Sequence, residues 1–284
     1  MAVDYKYELL DVSKHQGDIN WTKVYATNRF QGVIIRAGYG KLASQEDIKF
    51  KKNITEAYAA GFRNIGVYWY SYAGTVADGQ LEAKACLSVI APYKDKINLP
   101  VFFDQEYETA IKNASKDTRT TIVKNFCDSV RNAGYRPGFY ASKDWMTNYV
   151  DMSKINSDVI KWVAQYSSSC TYTGGFSMWQ YSSKGTVDGI SGNIDVNKAT
   201  EGIMPKVIQN NNSSDNTDEN TVEIKRWKNV NNKWYHFSTD SKMDTGWKKI
   251  SGNWYYFLTK DDAEKLNLPE GVCFSMDTSH AVIQ

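Results

Sequence analysis

The residues best suited to chemistry are Asp104 and Glu106, in the run Val101-Phe102-Phe103-Asp104-Gln105-Glu106. An apolar run of this kind reads as a buried strand, and residues two apart on a strand share a face. Their Cα atoms then lie about 6.6–7 Å apart. Two neighbouring carboxylates repel as anions, so one of them holds its proton to higher pH. A protonated acid beside an ionised partner is the equipment of glycosidic bond cleavage. The same pair also suits an ordinary loop start, solvated or capping a helix, and spacing alone leaves both readings open. Asp11, after a first strand, and Asp195, on a last one, are the other acids at strand ends, where parallel barrels place reactive groups. Asp11 equally suits a turn.

Eight strands are expected to position these acids, near Tyr7–Ser13, Gly32–Gly38, Ile65–Tyr72, Leu99–Glu106, Pro137–Ala141, Val159–Tyr166, Phe176–Ser182 and Asn193–Val196. Runs such as Gly32-Val33-Ile34-Ile35 suit strands buried on both faces. Helices are expected from Glu46 to Ala60 before Gly61, from Gly79 to Ile90 before Pro92, and from Asp117 to Ala133 before Gly134, Gly and Pro being helix stops. The later strands follow one another more closely. The expected fold class is α/β, a modified TIM-like barrel whose last part loses its helices.

Composition excludes several classes. A formal net charge of +2 gives no general pull toward nucleic acid. No apolar run is long enough for membrane insertion. The four cysteines, Cys86, Cys127, Cys170 and Cys273, form no Cys-x-x-Cys, and the histidines His15, His236 and His280 are too scattered for a His-rich metal site. No phosphate-binding glycine loop is present. The expectation is an enzyme with no metal and no cofactor. Met1-Ala2-Val3-Asp4-Tyr5 lacks the layout of a secretion signal, so release by lysis or a holin-type route is expected, unless a signal has been removed.

The clearest break is Gln209 to Thr221, which holds no apolar residue and reads as flexible linker. The expected division is residues 1–205, a linker at 206–222, and a module at 223–284. In that module Trp247-Lys-Lys-Ile-Ser-Gly-Asn-Trp-Tyr-Tyr-Phe257 repeats Trp227-Lys-Asn-Val-Asn-Asn-Lys-Trp-Tyr-His-Phe237. Each repeat reads as a β-hairpin, too small to stand alone, so the units should stack into a small all-β module.

Asp11-Val12-Ser13-Lys14-His15-Gln16-Gly17 with Asn20-Trp21 resembles the opening of the glycoside hydrolase family 25 lysozymes. Gly66-Val67-Tyr68-Trp69-Tyr70 resembles the family's third strand, Asp104-x-Glu106 its catalytic pair, and Trp179-Gln180-Tyr181 with Gly189 to Asn197 its closing strands. The resemblance covers about Tyr7 to Ala199. It implies a barrel of five β/α units plus three strands, and a retaining N-acetylmuramidase acting on the β-1,4 bond from N-acetylmuramic acid to N-acetylglucosamine, outside the cell on bacterial peptidoglycan. It also implies Glu106 as general acid/base, Asp104 as orienter of the substrate N-acetyl group or as nucleophile, and Asp11 and Asp195 as shapers of the electrostatics. Tyr70, Tyr72, Tyr140, Gln165, Tyr166, Gln180 and Arg36 are the candidate substrate-binding residues, Tyr70 and Tyr72 sharing a face. His15 is expected to hold its loop by hydrogen bonds. The Asp-x-Asp-x-Glu ladder of chitinases is missing, since Phe102 stands two before Asp104.

The repeats resemble choline-binding or related cell-wall-binding repeats, through Met243-Asp244-Thr245-Gly246-Trp247 and Trp254-Tyr255-Tyr256. Such cages hold quaternary ammonium by cation–π contact. Trp227, Trp234, Trp247, Trp254 and Tyr256 are the candidates, for choline or another teichoic-acid or wall polymer. The first repeat departs from the pattern at Asn232 and His236. Two short hairpins leave edges that a homodimer through the module could cover.

Overall fold

The computed structural model describes residues 3–205, 227–230, 233–237, 242–250, 253–266, 269–271 and 273–275. The expected linker at 206–222 lies outside them. The chain divides into two compact units, Met1–Val207 and Ile208–Gln284.

The first unit is a closed eight-stranded barrel in sequence order: β1 (Tyr7–Val12), β2 (Gly32–Tyr39), β3 (Ile65–Tyr70), β4 (Val101–Asp104), β5 (Pro137–Ser142), β6 (Ile160–Ala164), β7 (Met178–Gly185) and β8 (Ile194–Ala199). Strands β1 to β7 run parallel, while β8 runs antiparallel to both β7 and β1. All eight expected strands are present. Leu9, Ile34, Phe102, Trp162, Met178 and Ala199 fill the barrel interior. Gly138 makes room for Phe102: a Cβ there would lie 2.3 Å from the Phe102 ring. Outward residues such as Val33, Ile35, Val67, Phe103 and Phe139 meet the helices.

Those helices are α1 (Trp21–Ala26), α2 (Phe50–Ala60), α3 (Val76–Ile90), α4 (Thr109–Asn113) and α5 (Lys116–Asn132). Three correspond to expected helices, with shifted starts that follow from capping. Helix α3 begins early because Thr75 Oγ1 accepts from the Asp78 N–H at 3.1 Å, and α5 begins where Ser115 Oγ accepts from the Thr118 N–H at 3.0 Å. Helix α2 begins late because Asp47 serves other partners, described below. After β5 a one-turn π-helix, Trp145–Tyr149, takes the place of a crossover helix. Among the described residues no helix is long and apolar enough to cross a membrane. All four cysteines are free thiols.

The second unit contains the two expected hairpins. Strands β9 (Trp227–Val230) and β10 (Lys233–His236) pair antiparallel, as do β11 (Gly246–Ile250) and β12 (Asn253–Phe257), the latter extended by β13 (Cys273–Ser275). The module is not all-β: helix α6 (Lys260–Leu266) follows β12. Its start is a reciprocal cap, in which Thr259 Oγ1 accepts from the Asp262 N–H and the Asp262 carboxylate accepts from the Thr259 N–H, both at 3.3 Å.

Candidate active site

Strand alternation turns Asp11, Arg36, Tyr70, Asp104, Tyr140 and Gln180 to the inner face of the barrel, and their places along the parallel strands bring them toward one end. Asp11 lies opposite Asp195 in the β1–β8 register, and Asp104 lies between Tyr70 of β3 and Tyr140 of β5. All four sequence-derived acids therefore meet at this end. Two arrive by routes the sequence did not indicate. Strand β4 ends at Asp104, so Glu106 sits on the loop just beyond it. Asp195 comes from the beginning of β8, not its end, because β8 runs opposite to the other strands.

Asp11 is anchored by a buried network. Its Oδ2 accepts from Asn197 Nδ2 at 2.8 Å and Gln180 Nε2 at 3.0 Å. Gln180 Oε1 in turn accepts from the hydroxyls of Tyr140 at 2.8 Å and Tyr166 at 3.0 Å. Trp162 Nε1 donates to Asn197 Oδ1 at 2.8 Å. The two amides thus have no freedom to flip. Burial, aided by the charge of Asp195, pushes the Asp11 carboxyl up to about 8 despite these donors.

Asp104 is buried, and its Oδ1 meets no hydrogen-bond donor. Burial, then the charge of Glu106, holds its carboxyl well above the ordinary carboxylate range, with Arg36 opposing. Glu106 is raised as well, first by burial and then by Glu108 and Asp195, while a hydrogen bond from Asp104 works the other way. Both carboxyls are thus raised together, so the pair holds a proton to higher pH than an isolated carboxylate would.

The remaining candidates divide. Glu106, Tyr140, Gln165 and Tyr166 line a cavity of about 310 Å³ with Tyr107, Ser142 and Ala164. Tyr166 is exposed, as a face for stacking would be. Gln165, although on the lining, uses its amide on the next loop: Oε1 accepts from the Thr171 N–H at 2.9 Å and Nε2 donates to Thr171 Oγ1 at 3.1 Å. Tyr70 donates its hydroxyl to Glu108 Oε1 at 2.7 Å, and its ring lies 5.2 Å from that of Tyr72. Tyr72 lies past the end of β3 and packs edge-on against Tyr39 at 6.1 Å. Arg36 is mostly buried, with Nε donating to Asp47 Oδ2 at 2.6 Å. The loop after β1 is held by Ser13 and Gln16: the Ser13 N–H donates to Gln16 Oε1 at 2.8 Å, and the His15 N–H donates to Ser13 Oγ at 3.2 Å. His15 contributes its backbone, and its side chain is exposed. A second hollow of about 510 Å³, lined by residues 18–20 before α1 and by residues of α1 and α2, includes none of the four acids.

Sequence reasoning missed Asn197, Trp162, Glu108, Tyr39 and Asp47. Asn197 stands two after Asp195 and so had a signal in the alternation; the others act through loop or cross-strand contacts that spacing does not encode.

In the second unit Trp247 is exposed, and its ring lies 5.2 Å from that of Tyr256. Tyr256 donates its hydroxyl to Asp262 at 2.5 Å. His236 Nδ1 and Asp244 Oδ2 form a buried pair at 2.5 Å. The side chains of Trp227, Trp234 and Trp254 lie outside the described residues.

Comparison with known proteins agrees with this geometry. The sequence profile of glycosyl hydrolases family 25 matches residues 10–190, and that of the choline-binding repeat matches residues 225–267. Lysozyme M1 of Streptomyces globisporus is 28% identical over 201 residues, which are 66% of each chain. The modular autolysin LytC of Streptococcus pneumoniae is 31% identical in the aligned region, with a TM-score of 0.61 over 68% of this chain and 46% of that one. The catalytic domain of endolysin ply40, from bacteriophage P40 of Listeria monocytogenes, shares the fold at 23% identity and a TM-score of 0.60, over 71% of this chain and 97% of that one. The chain thus spans only part of the length of Lysozyme M1 and of LytC. By the extent of the profile match and the barrel that carries it, the chain belongs to glycosyl hydrolases family 25.

Proposed function

We propose that the protein is a peptidoglycan hydrolase, an N-acetylmuramidase that cuts the β-1,4 bond between N-acetylmuramic acid and N-acetylglucosamine with retention. In this reading residues 1–205 cut, 206–222 tether and 223–284 bind the wall outside the cell. The observation that carries it is the placement of buried Asp104 beside half-buried Glu106 at the carboxyl end of the barrel, both carboxyls being raised. Glu106 lines the open cavity and donates the proton to the leaving oxygen, then accepts one from the incoming water. With the pair's proton on Glu106 when the sugar is bound, Asp104 is ionised. Its buried Oδ1, which meets no donor in the free protein, then accepts the N–H of the 2-acetamido group. That contact orients the acetamido oxygen toward the anomeric carbon. Two displacements, by the acetamido oxygen and then by water, restore the original configuration. Asp195 supplies negative charge toward the oxocarbenium-like transition state, while Asp11, protonated below about 8, shapes the site by anchoring Gln180 and Asn197.

The test is the release of reducing ends from purified peptidoglycan, with N-acetylmuramic acid as the new terminus. Termini of N-acetylglucosamine alone, or no termini, sink the reading. The wall-binding arm has its own check. The full chain is expected to be retained on a quaternary-amine resin and eluted by free choline. Trp247→Ala is expected to weaken retention by about 0.5–2 kcal/mol, roughly 2- to 30-fold in affinity. Equal retention of the variant would remove Trp247 from the ligand site, and no retention of wild type would exclude choline.

A further inference from the structure

Glu106 lies where the sheet no longer holds the chain. Backbone pairing of β4 ends at Asp104, and the last bond toward β5 is from the Gln105 N–H to the Tyr140 carbonyl at 3.2 Å. Beyond it, the chain neighbours of Glu106 on both sides are fixed to one residue, Trp145, at the start of the π-helix. Trp145 is fully buried, and its Nε1 donates to Gln105 Oε1 at 3.0 Å. The Gln105 Nε2 is buried without an acceptor, so that single bond is what orients the amide. On the other side, the Tyr107 ring meets Trp145 edge-on at 4.7 Å, and the Tyr107 hydroxyl donates to Asp144, the residue before Trp145.

Trp145 is itself immobilised. Tyr149 stacks on it at 4.5 Å and 7°, and the Arg119 guanidinium stands 5.5 Å from its ring. Arg119 is tied down by the carbonyls of Tyr149, Ile111, Lys112 and Ala114. A π-turn inside a fold is often found at functional sites, and here it carries the indole that the acid's flanks share.

We propose that Trp145 is a positioning residue for the reaction, fixing the Glu106 carboxyl against Asp104 by holding Gln105 and Tyr107. The inference rests on the proposed acid/base role of Glu106. The charged and titratable groups facing Glu106 are Asp104 on β4, Glu108 on its own loop, Asp195 on β8, Asp11 on β1, and the phenols of Tyr70, Tyr140 and Tyr166. None of these is altered by a change at Trp145, so a shift in the pH profile reports displacement of Glu106.

Trp145→Phe keeps an aromatic ring but deletes the N–H, leaving the Gln105 amide with no partner. In the full chain, kcat on peptidoglycan is expected to fall about 10- to 100-fold. KM should change less than kcat, because Tyr140, Ala164, Gln165 and Tyr166 of the cavity lining make no hydrogen bond or ring contact with Trp145, and Ser142 only caps its backbone N–H. The displaced Glu106 gains water, so its carboxyl titrates lower and the basic limb of kcat/KM moves toward acid by about half a unit or more. Gln105→Leu removes the same bond from the other side and should act alike. The double variant should fall no further than either single one. If Trp145→Phe does not fold, Gln105→Leu carries the same test. Folded variants with wild-type kcat and an unmoved basic limb overturn the proposal, as does a loss of thermal stability alone. Should wild type itself release no reducing ends, it is the functional reading that fails.

Discussion

Replacing Glu106 by Gln is expected to lower kcat for reducing-end release by about 10²–10⁴-fold while KM changes little. The substitution keeps size and hydrogen-bonding capacity but removes the transferable proton. The fold should be indifferent to it, because Glu106 lies past the end of β4 and its side chain lines an open cavity. Thermal melting should therefore coincide with wild type. The pH dependence of wild type follows from the same residue. Burial and the charges of Glu108 and Asp195 hold the Glu106 carboxyl above its ordinary value. Its protonated form, the one that can donate, thus persists to higher pH than for a free glutamate. Activity is retained below that raised value and lost as pH rises through it. In Glu106→Gln the residual rate should show no basic limb from this group. Residual activity above a tenth of wild type, with the basic limb intact, would place the general acid elsewhere.

The second large effect is on stability. Arg36 and Asp47 form an ion pair with side chains 11% and 0% exposed, at 2.6 Å. Asp47 is also a junction: Oδ2 accepts from the Lys14 N–H at 3.0 Å and Oδ1 from the Lys49 N–H at 2.9 Å, joining the loops after β1 and β2. Removing one member of a buried pair strands the other charge and costs about 3–5 kcal/mol. Arg36→Met should accordingly lower the melting temperature by roughly 6–20 °C, at about 2–4 °C per kcal/mol for a domain of this size. Arg36→Met with Asp47→Leu should recover part of the loss, since no charge is left unpaired. A melting temperature for Arg36→Met within about 2 °C of wild type would show that the pair stabilises nothing. In the sequence Arg36 stands among the candidate substrate-binding residues. The structure shows its Nε already taken, by an aspartate on a loop.

That difference marks what a sequence can disclose here. The eight strands were legible because a barrel buried on both faces writes long apolar runs, as in Gly32-Val33-Ile34-Ile35. The helices were legible where Gly or Pro stopped them. Helices α1 and α4 were not, being six and five residues long with few buried positions to set a period. Strand direction is also absent from the pattern, since apolar alternation reads the same forward and backward. Asp195 could therefore be placed on the last strand but not at its start. The acids were found by type and position. Their surroundings, among them the Asn197–Asp11–Gln180 chain and the Trp145 clamp, depend on contacts between distant segments. Only the closed barrel brings those segments together.

The reversal of β8 has one more consequence. A single strand running against the others carries the chain back to the barrel floor, where Ala199 lies opposite Tyr7. There the Arg136 guanidinium grips the carbonyls of Gly202, Ile203 and Met204. The barrel thus begins and ends at its chemically silent face, and its last turn is latched by a residue that touches no acid. The antiparallel strand thus separates closure from cleft: the chain is latched at one end of the barrel while the acids gather at the other.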